Sequence, residues 1–519
     1  MATATSRTTS PVHPRALRAP EDCRARSARR IAWVDHLAWL LPAALMLGLG
    51  LVGLDRHSVW RDEAASLVGA RRTLPELWTM FGNLETVHAL YYTMLHGWLQ
   101  LGSGEAWARL PSVLAMTAAA GLTGVVGSRL VSVPVGLAAG LLFAVNPSVS
   151  YYAQEARSTA LVGACALLST WFLLRALGHR RELGPRRGWW TAYGLACVAL
   201  VGLNLLAVLV PVALGVTLLW WRSSPGVLLR WAVTTVPALL VTAGLLLITS
   251  EQPYQVGWIP RPSLGSVREL AHLALGPTWP LVVLVSLLAL AGVWPTRCVP
   301  ELRLRALAVP LLGLPTTLLL AASLVQPVFV PRYVFPSVAA ASLLAGLGVV
   351  RLGQALSRRT ARRVLAPVAT AVVLVVAVAG LGEQRLVRTP DSRPDDLGGA
   401  AALVAAQAHP GDAVLFLPDN RRLLALVYGE SFAGVRDVSL AASPEAVGNL
   451  TGRPLPLSTT LQNLTGSTRV WAIGRPGLAL TASETDARAE LDLLDRSFDA
   501  VERTGTHGVG VTLYVRRTV

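Results

Sequence analysis

Lysine does not occur in this chain of 519 residues, so all 46 basic residues are arginine. Cysteine is scarce as well. Cys23, Cys165, Cys197 and Cys298 have no metal-site spacing, and none falls in 383–519, which excludes a disulfide framework there. Charge is thin, at 15% of residues, against about 25% in soluble domains. No internal repeat and no glycine pattern of the nucleotide-binding type occurs, which removes dinucleotide and P-loop readings.

Apolar residues take the place of the missing charge. They make up 53% of the chain, and the mean hydropathy is +0.51. Long apolar segments recur from Ile31 to Gly382, the pattern of a polytopic membrane protein. The net charge of +16 does not indicate nucleic acid, because most arginines before residue 383 stand at segment ends, where they set orientation. Arginine in place of lysine, with abundant Ala, Leu, Gly and Val, matches a GC-rich bacterial coding style. The tail before Ile31 holds seven arginines. The apolar run behind it is long enough to span, so no cleavable signal is expected.

The strongly basic segments are 178–188 (Arg180, Arg181, Arg186, Arg187), 222–230, 296–305 and 351–363. The positive-inside rule puts them in the cytoplasm with the tail 1–31. Asp55, Asp62, Glu63, Glu76, Glu85, Glu105, Glu155, Glu251 and Glu269 fall in the other loops. The stretch 88–102 is apolar but about 15 residues long, short of the roughly 20 a span needs. Counting it as a span would also put 178–188 outside. It is therefore read as an interfacial helix within a first external loop, 55–108.

Eleven spans follow: 32–54, 109–127, 133–150, 158–177, 189–203, 205–221, 231–249, 279–295, 306–325, 333–350 and 364–382. The run 189–221 is split near Asn204; as a single span it would invert everything after it and place 222–230 outside. The predicted fold class is an α-helical polytopic membrane protein of about 11 spans (32–382), followed by an extracytoplasmic α/β domain, 383–519. In that domain Asp412–Leu417, Arg469–Ile473 and Gly508–Val515 read as strands, with helices near 397–408 and 485–496.

Four polar groups share the predicted outer face. Trp60-Arg-Asp-Glu63 follows the first span. Juxtamembrane acids tend to mark a site, although a helix cap at Asp62 with Glu63 favourable to the dipole is the competing structural reading. His88 comes with Tyr91 and Tyr92, where interfacial anchoring competes. Tyr151-Tyr-Ala-Gln-Glu-Ala-Arg157 brings Gln154, Glu155 and Arg157 to the outer end of the third span. Pro331-Arg-Tyr333 opens the tenth, where a snorkelling Arg332 is the structural alternative. Arg109, at the start of the second span, lies at the same level. Guanidinium suits bidentate phosphate binding. A base, a histidine and three arginines on one face favour chemistry on an anionic lipid.

The patterns Trp60-x-Asp-Glu-Ala-x-Ser66, His88-x-Leu-Tyr-Tyr92, Arg109-Leu-Pro-Ser112, Gln154-Glu-Ala-Arg157 and Pro331-Arg-Tyr333 resemble those of the C-type membrane glycosyltransferases. The similarity is to family-39-like bacterial proteins related to protein O-mannosyltransferases and lipid A aminoarabinose transferases. It covers roughly 32–382. Where the eukaryotic mannosyltransferases carry His-Pro-Pro, this chain has His88-Ala-Leu90, and no β-trefoil insertion is visible.

The resemblance implies a polyprenyl-phosphate sugar donor and inversion by single displacement on the extracytoplasmic face. The acceptor is a lipid, glycan or protein. It implies Asp62 as catalytic base with Glu63 supporting or exchanging with it. Arg157, Arg332 and Arg109 would hold the donor phosphate. His88, Tyr91, Tyr92, Gln154, Glu155 and Tyr333 would line the substrate. No metal is required if the arginines neutralise the phosphate; a divalent ion is the alternative. The rival readings are a flippase for polyprenyl-linked lipid, which would want midplane polar groups and inverted repeats, and a non-catalytic scaffold presenting 383–519.

Overall fold

The structure is a computed structural model describing residues 32–178, 186–250, 259–360 and 364–517. The tail 1–31 with Cys23, the loop arginines Arg180, Arg181, Arg362 and Arg363, and Glu251 lie outside the described residues.

A helix stands at each of the eleven apolar segments. They are Ala32–Leu51, Glu105–Leu130, Val133–Val145, Thr159–Ala176, Arg186–Leu203, Leu209–Trp220, Pro225–Thr249, Trp279–Val293, Val299–Ala322, Pro336–Thr360 and Leu365–Ala379. Five are each long and apolar enough to cross a bilayer. Two more reach that length only as bent pairs, Val133–Val145 with Pro147–Ala153 (64°) and Leu264–Leu275 with Trp279–Val293 (67°). The first bend has a local cause: Asn146 is extended, its side chain accepts from Ser148 N, and Pro147 starts the next helix. The break near Asn204 has the same origin. Asn204 is extended (φ −158°, ψ 117°) and its side chain accepts from Leu206 N at 2.9 Å. The helix Leu264–Leu275 lies in the segment 250–278, which the apolar pattern leaves as a loop.

Small residues let the helices approach closely. A Cβ on Gly124 would stand 1.8 Å from the Ala38 carbonyl oxygen, so only glycine permits the packing of the first two spans there. Two of the basic segments meet at the C-terminus of Trp279–Val293. Arg305 Nη1 donates to the carbonyls of Val293 and Trp294 (3.0 and 2.9 Å), and Arg351 Nη1 to those of Ala291 and Trp294 (2.6 and 2.9 Å). Both arginines thus satisfy the open carbonyls at the C-terminus of Trp279–Val293. Arg351 also pairs with the buried Glu301 at 2.5 Å.

The first loop folds into Arg61–Ala70, Leu74–Asn83 and Ala89–Leu99. The last occupies the stretch read as non-spanning, and its 11 residues measure about 16 Å, half a hydrocarbon core. Its tyrosines do not anchor at an interface: Tyr91 and Tyr92 are buried in the protein core with Leu77, Phe81 and Leu95.

The C-terminal part carries strands β1 (Ala413–Leu417), β2 (Arg436–Asp437), β3 (Leu440–Ala442), β4 (Arg453–Pro454), β5 (Arg469–Gly474), β6 (Phe498–Thr506) and β7 (Val509–Arg516). Five form a sheet of order β2-β1-β5-β7-β6; β3 and β4 pair separately. β1 runs parallel to β2 and β5, and β7 antiparallel to β5 and β6. Side chains alternate between two cores, as the strand period requires. Ala413, Leu415 and Leu417 pack with Leu464 and Leu494 on one face. Val414 and Phe416 pack on the other with Leu397, Ala401 and Val404 of the helix Leu397–Gln407. That second core also takes Val59, Ala64, Leu67 and Val68, so the sheet layer and the first loop share one hydrophobic core.

Within this layer Glu490 is buried, and burial pushes its carboxyl up to about 8, with Asp419, Asp486 and Asp437 adding and Arg422 opposing. A folded-state pKa above the unfolded value of about 4.3 means stability that is full below pH 4.3 and lost as pH rises through 8. Glu490→Gln is therefore expected to flatten the fall of the domain's thermal stability between those limits. A pH–Tm profile of the variant parallel to the parent's would count against this.

Candidate active site

The helix Arg61–Ala70 starts from Trp60, which is extended and makes no side-chain cap bond. Asp62 is therefore inside the first turn, and the capping reading of it is replaced. Asp62 and Glu63 point about 100° apart, and the surroundings of the two differ entirely.

Glu63 faces inward and is fully buried. Its Oε1 and Oε2 accept from Arg109 Nε and Nη2, both at 2.9 Å, and Oε1 also accepts from Ala156 N at 2.7 Å. Burial opposes its ionisation, but Arg109 outweighs this and holds the carboxyl down at about 2. Arg109 spends its remaining donors on the carbonyls of Leu54, His57 and Ser58. The pair is a structural rivet between the first loop and the second span. The structure does not bring Arg109 to the other two site arginines, nor Glu63 to the open face.

Asp62 is partly exposed, at 26% of its side chain; its carboxylate lies 3.3 Å from Arg332 Nη1 and 3.9 Å from Arg157 Nη2. Three segments separated in sequence by some ninety and then 175 residues thus converge on one carboxylate. The 154–157 segment is bound from several sides. Gln154 Nε2 donates to Gly50 and Val52 carbonyls (3.0 and 2.8 Å), and Ser112 Oγ donates to the Glu155 carbonyl at 2.6 Å. Arg157 Nη1 donates to the Asp62 carbonyl (3.2 Å) and to Ser66 Oγ (3.3 Å). Gln154 is thus a tether rather than a substrate contact. Tyr333 stacks loosely with Arg332, 5.9 Å from its ring centre.

Glu85 joins this group without having been singled out from sequence. It sits at φ +62°, unusual for a side-chain residue, and such strain clusters at functional sites. Tyr92 Oη donates to its carboxylate at 3.0 Å, and His88 Nε2 lies 3.8 Å away. Burial raises the Glu85 carboxyl above the usual carboxylate range. Burial, then Arg157, pushes His88 down to about 3, so its imidazole is neutral at physiological pH. Burial also raises Glu155 to about 7, although Arg393 opposes it. The positive φ at a non-glycine residue is visible only in the backbone, so no sequence signal marked Glu85.

Arg393 was missed too, because it lies beyond the resemblance. It is 1% exposed, stacks 3.7 Å from the centre of the Tyr151 ring, and donates to the carbonyls of Tyr151 and Gln154 at 3.0 and 2.9 Å. Asp395, two residues on, accepts from Arg421 (3.1 Å) and lies 3.5 Å from Arg61. The segment leading into the sheet layer thus holds both the arginine loop and the start of the acidic helix. Among the described residues no group of three or more His, Cys, Asp or Glu is arranged to hold a metal ion.

No family model matches the sequence, and no curated protein matches it. The fold has solved counterparts. ArnT of Cupriavidus metallidurans in the apo state superposes with a TM-score of 0.60 at 18% identity, over 93% of this chain and 98% of that one. The same protein bound to undecaprenyl phosphate gives 0.56 at 17%, with the same coverage. At these identities the likeness is one of fold. The chain shares the fold of that protein, and its apolar helices are those of a multi-pass membrane protein.

Proposed function

We propose that this protein is a membrane glycosyltransferase that moves a sugar from a polyprenyl-phosphate donor to an extracytoplasmic acceptor. One observation carries the reading: Asp62, partly exposed, stands between Arg332 and Arg157 while its neighbour Glu63 is sequestered. The motifs resemble those of C-type glycosyltransferases, and the undecaprenyl phosphate bound in a protein of the same fold supports a polyprenyl-phosphate donor. Mannose and pentofuranoses are the sugars to test first.

Without donor, Asp62 pairs with both arginines and offsets one of their two charges. The donor's phosphodiester brings an anion that takes the guanidinium groups, for which it is a geometric match. The carboxylate is then released to accept the proton of an acceptor hydroxyl. That oxygen bonds to the anomeric carbon as the bond to the phosphate oxygen breaks. The electron pair leaves with the phosphate, and Arg157 and Arg332 hold the developing charge. Single displacement inverts the anomeric centre.

The two arginines are expected to differ. Arg332→Ala removes a phosphate contact and should raise the donor KM about ten- to a hundredfold with a smaller effect on kcat. Arg157→Ala also frees the Asp62 backbone and Ser66, so it should lower kcat as well. Assays of purified protein with polyprenyl-phosphate mannose and polyprenyl-phosphate arabinofuranose check both. No turnover of any polyprenyl-phosphate sugar by the parent protein would overturn the proposed function; unchanged donor KM in Arg332→Ala would remove that residue from the donor site.

A further inference from the structure

A cavity of about 480 Å³ opens where the first loop, the start of the second span and the sheet layer meet. That volume is in the range of small-molecule sites. Asp55, Arg56 and Ser58 line one wall, Glu105 and Trp107 another, and Tyr428 a third. Asp62, Arg157 and Arg332 are not among its lining residues.

The cavity is a built one. Tyr428 Oη donates to Glu105 Oε1 at 2.6 Å and accepts from Val59 N at 3.1 Å. Ser58 Oγ donates to Asp396 Oδ1 at 2.5 Å. Glu105 Oε2 lies 3.7 Å from Arg109 Nη2, whose other bonds hold Glu63. The cavity wall and the acid beside Asp62 therefore share one guanidinium. His57, which also lines the cavity, is 1% exposed, yet its Nε2 finds no hydrogen-bond partner among the described residues. Burial, then Arg109 and Arg393, pushes this imidazole down to about 3, so it is neutral and its free nitrogen can act as an acceptor. A buried nitrogen without a partner loses its solvation unless a ligand or water meets it.

The chemistry of the wall selects the ligand. Two carboxylates, one arginine, a phenol and two serine hydroxyls offer many hydrogen bonds on several sides. Two acids against one arginine disfavour an anion. Trp107, a lining residue, is stacked on Trp98 at 4.6 Å and donates its indole N–H to the Trp98 carbonyl, which holds it rigid. A polyol ring with an apolar face and hydroxyls around its rim suits this set, and a phosphate or fatty chain does not.

We infer that the cavity bounded by Asp55, Glu105, Trp107 and Tyr428 is a binding site for a neutral saccharide, the acceptor-side sugar of the transfer reaction. The acceptor role rests on the glycosyltransferase reading; saccharide binding itself does not. The lining stretch Asp55–Ser58 ends four residues before Asp62, and Glu105 shares Arg109 with Glu63, so a bound saccharide would lie on the Glu63 side of that helix, as a non-reacting sugar of an extended acceptor.

Saturation-transfer NMR on the protein in lipid nanodiscs tests it, with methyl α-mannopyranoside, the anionic methyl glucuronide and choline as probes. The neutral glycoside is expected to show transfer from the parent protein. Ser103→Trp should weaken it at least tenfold, because Ser103 is an exposed lining residue and a large ring there fills the cavity mouth without entering the core. Tyr428→Phe removes a single hydroxyl and should weaken binding about threefold to tenfold. Asp62→Asn should leave binding unchanged. No transfer to the neutral glycoside, equal transfer in both cavity variants, or stronger transfer to glucuronide or choline would overturn the inference. Saccharide binding lost in Ser103→Trp alongside full donor turnover in Asp62→Asn would instead leave the cavity standing and sink the catalytic reading.

Discussion

Asp62→Asn should lower sugar transfer by about 10²- to 10⁴-fold, the contribution of a positioned general base. The substitution is nearly isosteric, so the helix Arg61–Ala70 and its buried neighbour Glu63 keep their places. It also removes the anion that faces Arg157 and Arg332. The donor phosphate then meets no competitor for these guanidinium groups, and the donor KM should hold or fall. A large loss of kcat with intact or tighter donor binding separates a base from a phosphate ligand, because a lost ligand would raise KM. Near-normal transfer by the variant would end the assignment. Glu63 is no substitute, because its carboxylate is fully buried and saturated by Arg109 and Ala156 N.

Arg109→Ala carries the second large effect, and it falls on stability. Removing one member of a buried ion pair leaves the other charge without compensation, which costs about 3–5 kcal/mol. Here the orphan would be Glu63, and the carbonyls of Leu54, His57 and Ser58 would lose their donor as well. Thermal unfolding of the detergent-purified protein is expected to show a large drop in Tm. The double variant Glu63→Leu with Arg109→Met should recover part of it, because the uncompensated charge is gone and the two sites are directly coupled. An unchanged Tm in Arg109→Ala would show that the pair is not the rivet described.

These two outcomes separate adjacent residues that look alike in the primary structure. The motif Trp60-x-Asp-Glu marks a site, but which acid is open depends on a helix rotation of about 100° and on an arginine 46 positions away. Three arginines were grouped by their level along the spans. Level is a one-dimensional property, and it could not show that Arg109 turns inward while Arg157 and Arg332 turn toward Asp62. Glu85 carries its signal in φ, and Arg393 in its burial against Tyr151; neither property is written in residue type. The tyrosines of 88–102 fit an interfacial anchor by composition, yet the core closed over them.

The apolar helices were legible because an unpaired backbone in lipid is so costly that spanning segments must be long, apolar and self-bonded. That rule acts locally: a helix stands at each of the eleven apolar segments, and five of these helices are each long and apolar enough to span. The strands of the sheet layer were legible through their apolar runs. Arginine placement predicts an orientation for a similar reason, since charge at a segment end is felt along the chain. Division of labour within the site is a different kind of property. It follows from which side chains meet across distant segments, and from which of them water still reaches. Close packing and burial set those, so Asp62 became the open acid and Glu63 the rivet only when the first loop closed onto Arg109 and the sheet layer closed onto both.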